Sequence, residues 1–164
     1  MIILDNSVLS AYARISKLNN IHEIFKEVII PAAVFDEYTT GKNNEELPTW
    51  IKILPLNEKE MHEATKLNLG PGESQAMILA LRGKSLLGMD DKLARETAEK
   101  LGLEVIGSIG ILRIAYETCL IENKIVLKHT LNKLAEDLYL EEWLHEWTLE
   151  ASKPNDFMKL KQSV

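Results

Sequence analysis

Short apolar runs alternate with helix-period patterns from residue 1 to about residue 120. Ile2-Ile3-Leu4, Val28-Ile29-Ile30, Ser85–Met89 and Glu104-Val105-Ile106 read as strands, and Trp50–Leu56 as an extended or edge strand limited by Pro55. A continuous run such as Val28–Ile30, apolar at every position, marks a strand buried on both faces of a parallel sheet. Between the runs, Val8, Leu9, Tyr12 and Ile15 recur at helical spacing behind a cap at Asn6 or Ser7, and a second short helix covers Ile21–Phe25. Pro31 stands at the first helical position before Ala32–Tyr38, a helix that Thr39-Thr40-Gly41 should stop. Further helices are expected over Glu58–Leu67 behind an Asn57 cap, from near Glu73 to Gly83 after a turn at Asn68–Gly72, and over Lys92–Leu101 with Gly102 just past its end. Another opens at Ser108 or Gly110 and runs to about Leu120, and residues 41–48 read as an exposed loop.

Strands alternating with helices predict an α/β fold with a mostly parallel sheet. Ile125–Leu138 and Leu140–Ala151 are helical in pattern and lack intervening strands. The expected organisation is therefore a domain over 1–120, a helical extension of it over 121–152, and a polar tail over 153–164.

Composition narrows the class. A length of 164 residues suits one domain, and 46% hydrophobic with 27% charged residues is an ordinary globular balance. No apolar run approaches the ~20 residues that span a bilayer, and the opening Met1–Asp5 has no basic segment of a secretory leader. The lone Cys119 allows neither an internal disulfide nor a cysteine-based zinc site, so a reducing cytoplasm is the expected compartment. With 19 basic against 25 acidic residues the net charge is −6, which argues against a strongly basic nucleic-acid binder. Acids gathered around a cation change that conclusion, because the bound ion reverses the local sign.

Several acids do fall where a site forms. Asp5 follows the first strand, and the doublet Asp90-Asp91 follows a later one. In open α/β sheets, ligands sit in the crevice outside the carboxyl ends of strands, so these acids can share one crevice despite their separation in sequence. Glu73 lies in the first turn of a helix, where the dipole favours an anion, and Glu37 lies on the second turn of the helix after strand two. Taken singly, each has a plainer role: Asp5 and the doublet as helix caps, Glu73 as a first-turn acid, Glu37 as a solvent-facing glutamate. Taken together, three to five converging carboxylates would repel one another unless a cation were present. Hard oxygen ligands suit Mg²⁺ or Mn²⁺, and such a site can activate water against a phosphodiester.

Five segments, in order, also match a known pattern. Ile3-Leu4-Asp5-Asn6-Ser7-Val8-Leu9 resembles the first motif of PIN domains, Ile30–Glu37 (IPAAVFDE) their second, and Leu69–Ala76 (LGPGESQA) their third. Leu86–Asp91 followed by Lys92-Leu93-Ala94-Arg95 resembles the fourth, and Glu104–Gly110 (EVIGSIG) the strand-turn-helix after it. The Gly-x-Gly-Glu and Gly-Ser-x-Gly elements are similar to those of the VapC-like prokaryotic branch. The resemblance implies a three-layer α/β/α fold with a mostly parallel central sheet of four to five strands and C-terminal helices. It implies a Mg²⁺- or Mn²⁺-dependent endoribonuclease, often the toxin of a toxin–antitoxin pair, with RNA as substrate and a small antitoxin protein as partner. Asp5, Glu73 and Asp91 would be the metal-binding core, with Glu37 and Asp90 as further acids and Ser7 positioning a ligand or water. Both positions of the doublet carry Asp, and the family pattern favours Asp91 over Asp90.

The remaining chemistry is sparser. Arg14, Lys92 and Arg95, with Arg82 or Lys84 behind them, are the candidate phosphate contacts. His22, His62, His129 and His145 lack metal-ligand spacing and read as surface or interface residues, and Cys119 reads as a buried thiol. Trp143 and Trp147 form a helix stripe suited to the core, a homodimer interface or an antitoxin. Two other functions stay open on sequence grounds: a DNA or structure-specific nuclease using the same acids, and a non-catalytic module docking a basic partner.

Overall fold

The structure, a computed structural model, describes residues 1–41, 46–136 and 142–153. Its chain forms two compact units, Met1–Ser108 and Ile109–Val164.

In the first unit, β1 (Ile2–Leu4), β2 (Val28–Pro31), β3 (Ile51–Leu54), β4 (Leu86–Gly88) and β5 (Val105–Ile106) build one sheet in the order β3-β2-β1-β4-β5. Every pairing is parallel. The helices α1 (Asn6–Arg14), α2 (Leu18–Phe25), α3 (Ala32–Thr40), α4 (Glu58–Thr65), α5 (Pro71–Gly83) and α6 (Lys92–Lys100) connect these strands. This is the expected three-layer α/β/α architecture, with five strands. Ile2, Leu4, Val28, Ile30 and Leu87 are wholly buried, which accounts for their uninterrupted apolar runs. Ile3, Ile29, Met77, Leu79, Met89 and Ala94 pack into one core cluster.

Strand order matters more for function than strand number. The chain adds β2 and β3 on one side of β1, then returns to add β4 and β5 on the other. The connections therefore diverge at β1 and β4, and a crevice opens at the carboxyl ends of those two strands. Leu4 pairs with Gly88 there, and Asp5 N–H donates to the Gly88 carbonyl at 3.0 Å. A methyl group on Gly88 would lie 2.6 Å from Cδ2 of Leu4, which is itself wholly buried. Gly88→Ala should therefore cost about 1–3 kcal/mol, read as a lower urea midpoint at unchanged slope.

Local chemistry moved several boundaries. Asp5, not Asn6 or Ser7, caps α1, because its short carboxylate reaches Val8 N–H at 3.1 Å. α5 starts at Pro71 rather than near Glu73, since proline's missing N–H costs nothing in a first turn. Pro31 ends β2 and caps α3. Thr39 and Thr40 lie within α3, their hydroxyls donating back to the carbonyls of Phe35 and Asp36, and the helix ends at Gly41. α2 begins three residues early, and His22 stacks on Trp50 with ring centroids 4.5 Å apart. Asn57 caps α4 as expected, with Glu60 completing a capping box. Part of the expected 41–48 loop, residues 42–45, lies outside the described residues.

In the second unit, α7 (Ser108–Glu117), which starts on the last residue of the first unit, leads to α8 (Lys124–Ala135) and α9 (Glu142–Leu149). Cys119 is exposed rather than buried: α7 ends at Glu117, and Cys119 sits beyond it at φ +66 with its N–H on the Tyr116 carbonyl. Trp143 and Trp147 are 59% and 38% exposed, so this stripe is not core. Arg113 lies 4.0 Å above the Trp147 ring. Leu138, Leu140 and residues 154–164 of the expected helices and tail lie outside the described residues. Among the described residues, no helix is long and apolar enough to cross a membrane.

Candidate metal centre at the carboxyl ends of β1 and β4

Asp5 leaves β1 pointing into the crevice and is only 2% exposed. Its carboxylate accepts from Val8 N–H and from the Ser7 hydroxyl, at 2.7 and 2.9 Å from the two oxygens. Burial nevertheless pushes its pKa from the usual 3.8 up to about 7, against the lowering effect of those bonds, and the negative charges of Asp90 and Glu73 add to the rise. A plain helix cap has no reason to be buried among other carboxylates.

Ser7 links two strands. Its hydroxyl donates to Asp5 and accepts from Asp90 N–H at 3.1 Å. The Asp90 side chain is held from β5's far end: Ser108 N–H donates to Oδ1 at 2.8 Å and Ser108 Oγ to Oδ2 at 2.6 Å. Burial raises the Asp90 pKa, while the Ser108 bonds and the Arg95 guanidinium oppose the rise. Tyr12, wholly buried, donates to the Ser108 carbonyl at 3.0 Å and so fixes this serine from behind. Gly107 is required here by close approach: a Cβ would fall 2.8 Å from Arg95 Nη1 and 2.9 Å from Asp90 Oδ1.

The doublet therefore divides. Asp90 turns into the network with Ser7 and Ser108, whereas Asp91 is exposed and caps α6 by accepting from Ala94 N–H at 2.8 Å. Glu73 is half-buried and accepts from Gly70 N–H at 3.0 Å, close enough to Asp5 to raise its pKa. Glu37 reaches across to the same helix end, where its carboxylate accepts from Gly72 N–H at 2.9 Å. In return, Gln75 on α5 accepts from Ala33 N–H at the start of α3. The two helices thus cap each other, and Glu37 serves that joint.

Among the candidate cations, Arg95 is half-buried beside Asp90, and Lys92 is exposed one turn earlier on α6. Arg14 is half-buried in the last turn of α1. Arg82 is engaged with Glu60 at 3.2 Å, and Lys84 is exposed past the end of α5. Sequence reasoning passed over Ser108 and Gln75 as site residues. The available signal was the Gly107-Ser108 pair just after a strand of the same sheet, where the crevice rule that singled out Asp5 also applies.

A family model described as a PIN domain matches residues 1–153. The chain belongs to the PIN domain family. No curated protein matches it. PIN domains have a nuclease-type fold and typically use divalent metal ions. The donors in this PIN domain fit such an ion in kind: hard carboxylate oxygens, that of Asp5 with its pKa raised mainly by burial and further by the charges of Asp90 and Glu73. Among the described residues, no three His, Cys, Asp or Glu side chains converge closely enough to enclose an ion by themselves.

Proposed function

We propose that this PIN domain is a Mg²⁺- or Mn²⁺-dependent endoribonuclease of the VapC-like branch, cytoplasmic and acting as the toxin of a toxin–antitoxin pair. The observation that carries the proposal is the pairing of Asp5 and Asp90 at the point where the sheet's connections diverge, with Glu73 in electrostatic reach. The ordered motifs support the VapC-like assignment, and the exposed Trp143 suits a surface covered by an antitoxin or a second copy.

Asp5 and Asp90 are the residues that would hold the ion, with Glu73 as the third acid. A divalent ion supplies, when bound, an activated water and charge stabilisation for the phosphoryl oxygens. The chain's own groups prepare the place. The Ser7 hydroxyl fixes the spacing between Asp5 and the end of β4. Ser108 and Tyr12 orient Asp90, so its carboxylate need not reorganise during reaction. Arg95 and Lys92 offer positive charge on α6 for the phosphates of the strand, and Arg14 offers it on α1. Glu37 acts indirectly, by holding the start of α5 beneath Glu73.

Ser108→Ala removes the 2.6 Å bond to Asp90 and leaves the backbone bond in place. It should lower kcat/KM by roughly 10–100-fold, the usual cost of losing a group that orients a metal ligand, with an unchanged circular dichroism spectrum. The proposal itself is tested with end-labelled RNA and a matching single-stranded DNA, each incubated with Mg²⁺, Mn²⁺ or EDTA. RNA cleavage confined to the metal lanes supports it. Cleavage of DNA alone would indicate a deoxyribonuclease, and cleavage that persists in EDTA would remove the metal from the account.

A further inference from the structure

The chain carries an excess of acid, yet α8 contains none between Lys124 and Ala135. Its two faces differ sharply. Leu127, Thr130, Leu131 and Leu134 are buried, while Lys124, Ile125, Lys128, His129, Asn132 and Lys133 are exposed. The exposed positions recur at i, i+4 and i+8 in two adjacent rows, Lys124, Lys128 and Asn132 in one and Ile125, His129 and Lys133 in the other, which together form the outer face of the helix. Lys124, Ile125, Lys128, His129 and Asn132 border an open concavity of about 450 Å³. Ile125 is 82% exposed in the midst of these cations. Lys124 also donates to the Leu149 carbonyl at 3.2 Å, and so ties α8 to the end of α9.

We infer that the outer face of α8 binds the phosphate backbone of single-stranded RNA. Charge complementarity selects the ligand. A chain of net charge −6 repels a polyanion on average, so binding needs a local row of cations free of acids, and α8 supplies one. The row has hydrogen-bonding neighbours in His129 and Asn132, and Ile125 gives an apolar contact for an unstacked base, which a strand outside a duplex offers. The inference rests on the nuclease reading for its choice of RNA, and its test is independent of turnover.

The test is fluorescence anisotropy of a labelled oligouridylate with the full chain in EDTA, over a salt series. Lys128→Gln/Lys133→Gln should weaken binding roughly ten-fold or more at about 0.1 M salt. The slope of log K against log salt should flatten by about 1.4, since each lysine neutralised on a single strand removes ~0.7. Lys128→Arg/Lys133→Arg should restore both values. Equal affinity and slope for the glutamine variant and the unaltered protein would overturn the inference, as would a failure of the unaltered protein to bind. Preferential binding of a polyglutamate peptide would also overturn it and assign the face to an acidic protein. Because EDTA abolishes metal-dependent turnover, an inert protein still gives a binding result, so failure here is distinguishable from failure of the nuclease proposal.

Discussion

Asp90→Asn should lower metal-dependent RNA cleavage by more than about 100-fold, while Asp91→Asn leaves it essentially unchanged. The two residues are adjacent and chemically identical, so the contrast isolates geometry. Asp90 receives both Ser108 donors and is linked through Ser7 to Asp5. Asn at 90 keeps the shape but loses the charge a divalent ion needs, and its amide would face the Ser108 donors poorly. Loss of a group that merely orients a ligand costs ~10–100-fold, and loss of a ligand itself should exceed that. Asp91 caps α6, and Asn caps a helix equally well. Initial rates on end-labelled RNA in Mg²⁺, with thermal melts to confirm folding, check both halves. Equal losses for the two variants would show that the doublet acts as a unit.

In EDTA, the unaltered protein should lose stability as pH rises from about 4 to 7, and Asp5→Asn should lose less, keeping only the share that the raised pKa of Asp90 contributes. The sign follows from the direction of the shift. Asp5 ionises near its usual 3.8 in the unfolded chain but at about 7 when folded. Between those values the folded state holds a proton that the unfolded state has released, so stability falls with rising pH and levels off above about 7. At ~1.4 kcal/mol per unit, the full difference is on the order of 4 kcal/mol at most. Asn can still accept from Val8 N–H, so the variant retains the α1 cap without the buried charge. It should therefore melt higher than the unaltered protein at pH 8 and lose that advantage near pH 4. Adding Mn²⁺ should close the gap at pH 8 by stabilising only the protein with Asp5. A parallel pH dependence for the two proteins would contradict the burial argument.

Why one acid of the doublet could be found but not distinguished is a matter of range. Asp5 and the pair Asp90-Asp91 stood out in the sequence because each follows a short apolar run, and strand ends in a parallel sheet define a crevice. Which of the pair turns inward depends on Ser108, which arrives from the end of β5, and on Ser7, which arrives from α1. Neither contact has a local signature, and the family pattern favours Asp91 as the metal ligand, a choice that the comparison of Asp90→Asn with Asp91→Asn tests. Glu37 illustrates the same limit. Its place on α3 was readable, but its partner, Gly72 N–H, becomes available only because α5 begins at Pro71. Cys119 was misplaced because apolar neighbours suggested a continuing helix, and nothing in them marks the left-handed turn that ends α7. By contrast, Asn57 with Glu60 and Gly102 beyond α6 were legible, since caps and left-handed turns are written in the residues that make them.

The most direct test of the central claim is an anomalous difference map from crystals of the protein soaked in Mn²⁺. A peak within ordinary metal–oxygen distance, about 2.1 Å, of carboxylate oxygens of Asp5 and Asp90 is the expected result. A peak bound by Asp91 without Asp90, or Mn²⁺ held elsewhere with the crevice empty, would contradict it.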